Sequence, residues 1–169
     1  GNMWTSSVYE KIPALGHEVL NPSDFRARPD VILLAGIDGD DSAISAEQAI
    51  MYKMYMKNVK LIARVNENDA RKDTKYVDEN WIKLSEYVDG TVFVSNWLRD
   101  HFLKKGWKCQ QNTVIYNGVD TTLFKKQEKI DNKRINIVTH HWSNNRLKGF
   151  DVYEQLDEFA NKYFKDSKL

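Results

Sequence analysis

The sequence predicts an α/β protein in which a parallel β-sheet lies between two layers of helices, and two observations support this. Short runs rich in β-branched and aliphatic residues alternate with segments whose apolar residues recur at helical spacing. The runs, such as VILLA at residues 31–35, are apolar without alternation, as expected for strands covered on both faces. Strands of this kind separated by helices are typical of parallel sheets in three-layer proteins.

Six runs are predicted to form strands, and helices are predicted between them. The runs are HEVL, DVILLAG, VKLIARV, GTVFVSN, NTVIYNG and INIVTH. A first helix is predicted over residues 5–15. A second is predicted over residues 42–57, where Asp40, Asp41 or Ser42 can cap the free amides.

Three later helices follow from capping and spacing. Ser95 is placed to cap a helix that ends at Gly106. The other two each present one apolar face, which we expect to be buried. These faces are Val77, Trp81, Leu84 and Val88 in one helix, and Tyr153, Leu156, Ala160 and Tyr163 in the other.

The composition indicates a globular protein of one domain, or of one domain and part of a second. The chain has 169 residues, of which 41% are hydrophobic and 12% aromatic, enough apolar surface to offset the entropy cost of ordering. Its formal net charge is +1, with acidic and basic residues interspersed. This balance argues against a nucleic-acid partner or any general polyanion, so an anion would have to be bound locally.

One cysteine and the lack of a long apolar run restrict the compartment. Cys109 alone forms neither an internal disulfide nor a multi-cysteine zinc site, and a buried structural thiol in a reducing environment is the simplest interpretation. No run approaches the ~18 apolar residues that span a bilayer, and the first ten residues lack the pattern of a signal peptide. We therefore expect a cytoplasmic protein without a transmembrane segment.

A charged stretch without periodicity, residues 125–133, is predicted to be a linker. It divides the chain into a domain over residues 1–125 and a remainder over residues 126–169. The remainder holds one predicted strand and one predicted helix, which alone cannot bury both faces of the strand. We therefore expect it to be the opening of a truncated second domain.

The stretch after the last predicted strand, HHWSNNRLKGF, holds a candidate phosphate site. Ligands of open parallel sheets bind beyond the carboxyl ends of strands, where helix N-termini present free amides. Arg146 and Lys148 precede a helix there, and Gly149 allows close approach, so the three can receive a diphosphate. An exposed basic helix start fits the same residues.

His140, Trp142 and Ser143, in the same stretch, are candidate cleft residues. The adjacent His140 and His141 point in opposite directions at a strand end, so no metal site is predicted there. Trp142 also fits a position in the core or in a lid.

Several motifs resemble the domain junction of glycosyltransferases. NGVD with a phenylalanine four residues later, a charged linker, a new strand and R-x-KGF opening a helix together resemble enzymes with two Rossmann-like domains. This is the GT-B architecture, and the likeness is greatest to its large retaining family. Upstream, RVNENDARK and DENWIKLSEYVDGTVFVSNWLRDHF resemble the N-terminal domain of that family. The resemblance covers most of residues 59–160, and residues 1–58 only loosely.

The resemblance implies a truncated GT-B protein whose parent enzyme transfers a sugar, with retention, from a nucleotide-sugar to a glycan or lipid-linked acceptor. Arg146 and Lys148 would hold the donor diphosphate, and neither a metal nor another cofactor would be needed. The acidic donor motif of the family belongs beyond Leu169, so the chain alone is expected to transfer no sugar. Peripheral membrane contact and the oligomeric state are left open.

By the same resemblance, the loop NENDARK belongs to the acceptor side. Glu67 and Asp69 are its candidate catalytic residues, and Asn66 and Arg71 are candidate acceptor or cleft residues. A solvated charged loop is the structural alternative. Asn117, in NGVD, is a further cleft candidate for which a role in a turn is favoured. Many relatives carry a histidine in the NENDARK region, and this chain has none, so that role is not carried over.

Two other functions are weighed against this one. Asp38 and Asp40 form a D-x-D motif after a strand, which could hold a divalent cation as in metal-dependent glycosyltransferases, or form a turn with a helix cap. A noncatalytic α/β binding module would also lack donor-site sequence. A native chain that continued past Leu169 with strand–helix alternation would favour the enzyme.

Overall fold

The fold is built on a sheet in which every strand runs parallel to its neighbours. The computed structural model describes residues 2–20, 26, 28–37, 44–126, 128, 138 and 146–164. Over these residues the strands are β1 (Val31–Leu34), β2 (Lys60–Val65), β3 (Gly90–Phe93) and β4 (Asn112–Val114). They lie side by side in chain order. The predicted α/β class with a parallel sheet is confirmed, and the sheet is consistent with a Rossmann-like fold.

Six α-helices accompany the sheet in the described ranges. They are α1 (Asn2–Ala14), α2 (Ala46–Tyr55), α3 (Asp69–Lys72), α4 (Val77–Leu84), α5 (Asn96–Lys104) and α6 (Phe150–Tyr163). A 3-10 turn, Arg146–Lys148, precedes α6. Within the part of the chain that the structure describes, no helix is both long enough and apolar enough to cross a bilayer.

The helices that connect the strands pack on one face of the sheet. Parallel strands placed in chain order and joined by right-handed crossovers put every connecting helix on the same side. The contacts of α5 agree with this, because the ring of Phe102 stacks on Phe93 of β3 with centroids 6.1 Å apart. On this face Leu61, Ala63 and Val65 of β2 are fully buried.

The opposite face of the sheet is covered less completely. Val31 and Leu33 of β1 are 55% and 41% exposed. Arg64 of β2 points to this side, because it alternates with the buried residues of the first face. The ring of Trp4, in α1, lies over the Arg64 guanidinium. Helices therefore lie on both faces, and the described one on this side is α1.

An aromatic cluster forms the centre of the core between β3, α4 and α5. The ring of Trp107 meets those of Phe93 and Phe102 edge-on, with centroids 5.2 and 5.4 Å apart, and lies 6.5 Å from that of Trp81. The Trp107 indole N–H donates to Thr91 Oγ1 at 3.2 Å, so its polar atom is satisfied inside the core. The predicted apolar face that includes Trp81 is confirmed as buried, but α4 ends at Leu84, so Val88, predicted on the same face, lies beyond the helix.

Side-chain caps set the starts of α2 and α5. Ser45 Oγ accepts from the Gln48 amide at 3.2 Å, and the Gln48 side chain accepts from the Ser45 amide at 3.0 Å. This reciprocal capping box begins α2 at Ala46, later than predicted. The caps predicted at residues 40–42 lie outside the described residues. Ser95 caps α5 as predicted, and its Oγ accepts an amide of the first turn at 3.1 Å.

The strand predicted at HEVL is wrong. Residues 17–20 are described and form no strand. Val19 and Leu20 are only half-buried, and a run of two apolar residues buries too little surface to hold an isolated strand in place. The strand predicted at INIVTH lies almost wholly outside the described residues and stays a prediction.

The chain divides into two compact units, residues 1–117 and 118–169. The first unit holds the sheet and helices α1 to α5, and the second holds α6. The helix predicted around Tyr153 and Leu156 is present, but its apolar face is not buried within the described residues. Leu156 is 37% exposed and Tyr163 is 60% exposed.

Candidate functional site

The carboxyl end of β2 carries a buried arginine that connects three segments of the first unit. Arg64 is only 8% exposed. Its Nη2 donates to Asn117 Oδ1 at 2.7 Å, and its Cζ lies 4.2 Å from the centroid of the Trp4 ring. Burial lowers the pKa of the Arg64 guanidinium, as expected when a cation loses contact with water. Asn117, predicted as a cleft residue, therefore lies directly beside a cation.

The loop NENDARK, which follows β2, is folded on itself. Asn68 is fully buried and caps α3, with its Oδ1 accepting from the Arg71 amide at 3.1 Å. Arg71 Nη1 donates to the Asn66 carbonyl oxygen at 3.0 Å. Asn66 Oδ1 and Asn68 Nδ2 are buried and have no hydrogen-bond partner among the described residues. The structure thus brings the predicted cleft residues Asn66 and Arg71 into contact.

The two predicted catalytic carboxylates of this loop have different surroundings. Glu67 forms an ion pair with Lys72, and their side chains are 21% and 52% exposed. Asp69 accepts hydrogen bonds from Thr74 Oγ1 at 2.6 Å and from the amides of Val77 and Asp78 at 2.9 and 3.2 Å. Asp69 therefore caps the start of α4 from nine residues away. The catalytic role of either residue stays a prediction.

The pKa of Asp69 reflects this capping. Burial alone would raise the pKa of the carboxyl group, but the donors from Thr74, Asp78 and Val77 outweigh it, so the pKa lies below the ordinary value of 3.8. The carboxylate is held ionised by neutral donors. That environment suits a structural cap better than a general base, which needs a pKa closer to the working pH.

A buried carboxylate, Asp78, lies in the first turn of α4. It is 3% exposed and accepts from the Asp69 amide at 2.9 Å and from Lys105 Nζ at 2.6 Å. His101 Nε2 lies 2.7 Å from the same carboxylate. Burial would raise the pKa of Asp78, but the bonds from Lys105, Asp69 and His101 lower it below 3.8 overall. Asp69 and Asp78 thus each accept the amide of the other.

The second unit contains the predicted phosphate-binding residues. Arg146 and Lys148 lie in the 3-10 turn, and Gly149 follows with a φ of 86°, a left-handed conformation that favours glycine. Arg146 Nη2 is 3.2 Å from Glu154 Oε2, and both side chains are largely exposed. The structure therefore places the three residues together at the start of α6, with Arg146 engaged in a surface ion pair.

The NGVD motif spans the boundary between the two units. Asp120 Oδ1 accepts from the Thr122 amide at 2.8 Å and from its hydroxyl at 2.6 Å, the arrangement of an Asx turn. Gly118 has no positive φ and nothing within 4 Å of an added Cβ. The backbone at position 118 therefore does not require a glycine.

Several predicted site residues lie outside the described residues. These are the cleft candidates His140, Trp142 and Ser143, and the D-x-D carboxylates Asp38 and Asp40. Among the described residues, no group of three or more histidine, cysteine, aspartate or glutamate side chains is placed to hold a metal ion.

Two contacts at this end of the sheet were not predicted. A charged residue inside the apolar run KLIARV was the signal for Arg64, since a buried strand tolerates a cation only if it meets a partner or a ligand. The pairing of Asp78 with His101 joins residues that are 23 positions apart on different helices. Nothing in the spacing of these two residues indicates the contact.

The chain matches no protein-family model, no curated protein and no solved structure in the comparisons that we made. The carboxyl end of the sheet carries a buried guanidinium, the buried amide of Asn68, the half-buried Asn66 and a partly exposed carboxylate, and such a set can bind a polar, anionic or hydroxylated ligand.

Proposed function

We propose that this chain carries the acceptor-side domain and the first strand–helix unit of the donor-side domain of a metal-independent GT-B glycosyltransferase. One observation supports this most. The polar residues singled out in the motifs, Asn66, Glu67 and Asn117, lie with Arg64 at the carboxyl end of a parallel sheet. Ligands of open α/β sheets bind at that end.

On this proposal, Arg146 and Lys148 hold the diphosphate of the donor. The Arg146–Glu154 ion pair is exposed on both sides and is worth no more than about 1 kcal/mol. A diphosphate offers the guanidinium several charged acceptors at once, so it can displace Glu154. The left-handed Gly149 keeps a Cβ away from the amides at the start of α6.

The proposed reaction exchanges one C–O bond for another. The bond between the sugar C1 and the diphosphate oxygen breaks, the acceptor hydroxyl oxygen bonds to C1, and the hydroxyl proton passes to a base. Arg146 and Lys148 stabilise the negative charge that builds on the departing nucleoside diphosphate. Of the two candidate bases, we favour Glu67, because Asp69 is occupied by three donors at the start of α4.

The acceptor in this proposal is a glycan or a lipid-linked glycan, and the donor is a nucleotide-sugar. The buried free thiol of Cys109 supports a reducing, cytoplasmic setting for the reaction.

The test is calorimetric titration of the full-length parent enzyme that this proposal implies with nucleoside diphosphates, in the presence of a chelator. Arg146→Ala and Lys148→Ala are each expected to weaken binding by about 1.5–3 kcal/mol, the range for hydrogen bonds to charged groups. Lys162→Ala, at the other end of α6, is the matched control and should bind as the wild type does.

Unchanged binding in both variants would contradict the proposed donor site. Binding that appears only when Mn²⁺ is added would favour the metal-dependent alternative at Asp38 and Asp40. If no nucleoside diphosphate binds at all, a noncatalytic binding module accounts for the chain better.

A further inference from the structure

Arg64 is a buried cation that pairs with no carboxylate in the part of the chain that the structure describes. It is 8% exposed, and the guanidinium makes one hydrogen bond, to the neutral amide of Asn117. Two of the more exposed arginines, in contrast, have acidic partners: Arg99 pairs with Asp100 at 3.0 Å and Arg146 with Glu154 at 3.2 Å. Because an uncompensated buried charge is costly, Arg64 is the arginine that most needs a negative partner.

The nearest acidic residues along the chain are engaged elsewhere. Glu67 pairs with Lys72. The carboxylate of Asp69 receives the hydroxyl of Thr74 and two backbone amides. Neither carboxylate is therefore committed to Arg64, and each already has donors that offset its charge. Neither carboxylate therefore neutralises the positive charge of Arg64.

The surroundings of Arg64 fix the guanidinium but do not saturate it. An arginine has five N–H donors in a planar fork. Asn117 Oδ1 takes a donor of Nη2, and the Trp4 ring lies 4.2 Å from Cζ and blocks approach from its side. Tryptophan attracts a cation through its ring face and accepts no hydrogen bond in doing so. The other donors of the fork are left for an oxyanion, which two parallel N–H groups bind well.

A second unfilled group lies at the same end of β2. Asn66 follows Arg64 by two residues, and its buried Oδ1 has no hydrogen-bond partner among the described residues. Buried polar atoms without partners are uncommon in folded proteins. The unfilled oxygen of Asn66 requires a donor on the ligand, such as a hydroxyl group, whereas the free donors of Arg64 require an oxyanion. Two such features within three residues, at the end of the sheet where ligands of this fold class bind, indicate a binding site rather than packing alone.

We propose that Arg64, oriented by Asn117 and Trp4, is the anchor of an oxyanion-binding site in the first unit, which takes the carboxylate or phosphate group of a small ligand. The site does not depend on sugar transfer. If the proposed transferase function holds as well, the oxyanion belongs to the acceptor.

The test follows the arginine side-chain Nε–Hε signals by NMR while the protein is titrated with inorganic phosphate, with acetate and, as an ionic-strength control, with chloride. We expect one oxyanion to shift the Arg64 signal in a saturable way and to leave the Arg99 signal unmoved, since Arg99 already has a carboxylate partner. A tighter response to acetate identifies a carboxylate ligand, and a tighter response to phosphate identifies a phosphate ligand. If neither anion moves the Arg64 signal, the proposal is overturned.

Two variants test the geometry. Asn117→Asp places a carboxylate on the same guanidinium, so oxyanion binding should weaken by at least about tenfold while thermal stability is kept or raised. Arg64→Lys keeps the charge but loses the fork, and it should weaken binding by a similar factor. Oxyanion affinity equal to the wild type in a folded Asn117→Asp variant would show that the anion binds elsewhere. Nucleoside diphosphate binding at Arg146 is read from its own signal, so the two proposals fail independently.

Discussion

Replacing Asp78 by asparagine should destabilise the protein in a manner that depends on pH. The change preserves the shape of the side chain and the acceptor for the Asp69 amide. It puts an N–H₂ group where an oxygen now accepts from Lys105 at 2.6 Å and contacts His101 at 2.7 Å. His101 can turn its lone pair toward the new donor, since a neutral imidazole carries both roles.

The variant should therefore lose the stability contributed by one buried, charge-assisted hydrogen bond, the one between Asp78 and Lys105. Such bonds are worth about 1.5–3 kcal/mol. The Lys105 side chain is 48% exposed and can return to water, which spares the variant the full cost of a stranded buried charge. We expect a decrease of about 2–3 kcal/mol in the free energy of unfolding at pH 7.

The pH dependence gives the sharper test. The pKa of Asp78 is lowered below 3.8 in the folded protein, so its contribution to stability is complete well above pH 4 and is lost as the pH falls through the folded pKa. The difference in the free energy of unfolding between wild type and Asp78→Asn should therefore narrow as the pH falls below about 4. Urea unfolding at several pH values measures it.

Asp100→Asn is the control for a simple change of charge. Asp100 is on the surface of α5, with its side chain 52% exposed and paired with Arg99, so its replacement should change stability by less than about 0.5 kcal/mol. A loss for Asp78→Asn that is as small as that of the control, or that stays constant down to pH 2, would refute the account of the Asp78 contacts.

Two further predictions concern backbone geometry at helix ends, and urea unfolding measures both. Ser45→Ala removes the acceptor for the Gln48 amide and should cost about 1 kcal/mol, whereas no loss would mean that α2 does not depend on its capping box. Gly106→Ala should cost about 1–2 kcal/mol because Gly106 has a φ of 94° with open space around it, so that strain alone is measured. Gly118→Ala is the matched control, since it has no positive φ and should be nearly neutral; equal losses in the two alanine variants would contradict the argument from φ.

The strands of the sheet could be predicted because each is a run of apolar residues that is recognisable by itself. VILLA, KLIARV and the run that contains Phe93 form strands as expected, but VILLA is buried on one face only, because Val31 and Leu33 are exposed. HEVL is a shorter run with fewer apolar residues. A strand also needs a neighbouring strand with which to pair, and a short sequence does not show whether such a neighbour exists. The Cys109 thiol is buried as predicted, with Sγ 3.4 Å from the Gln111 carbonyl oxygen.

The sequence contains a capping motif that specifies where α2 begins. Ser45 and Gln48 have the S-x-x-Q spacing of a capping box, which fixes a start at Ala46. The acidic residues before it offered caps of equal chemical quality, and only the reciprocal bond distinguishes the two choices.

The candidate site was predicted only where its residues are neighbours in the chain. The loop after β2 could be singled out from its polar composition at the end of a strand. The contact of Arg64 with Asn117 joins residues 53 positions apart, and that of Trp4 with Arg64 joins two elements whose association depends on the whole sheet. The role of Asp69 as a cap for α4 likewise depends on the path of the chain between α3 and α4.

The order of the strands has a kinetic consequence. Because each described strand lies beside the strand that precedes it in the sequence, every pairing closes over one connection, in which one or two helices are described. The entropy lost in closing such a loop grows slowly with its length, and contacts that are close in sequence generally speed folding. The sheet can therefore assemble by adding one strand at a time to a growing edge, and no pairing has to wait for a distant part of the chain to arrive.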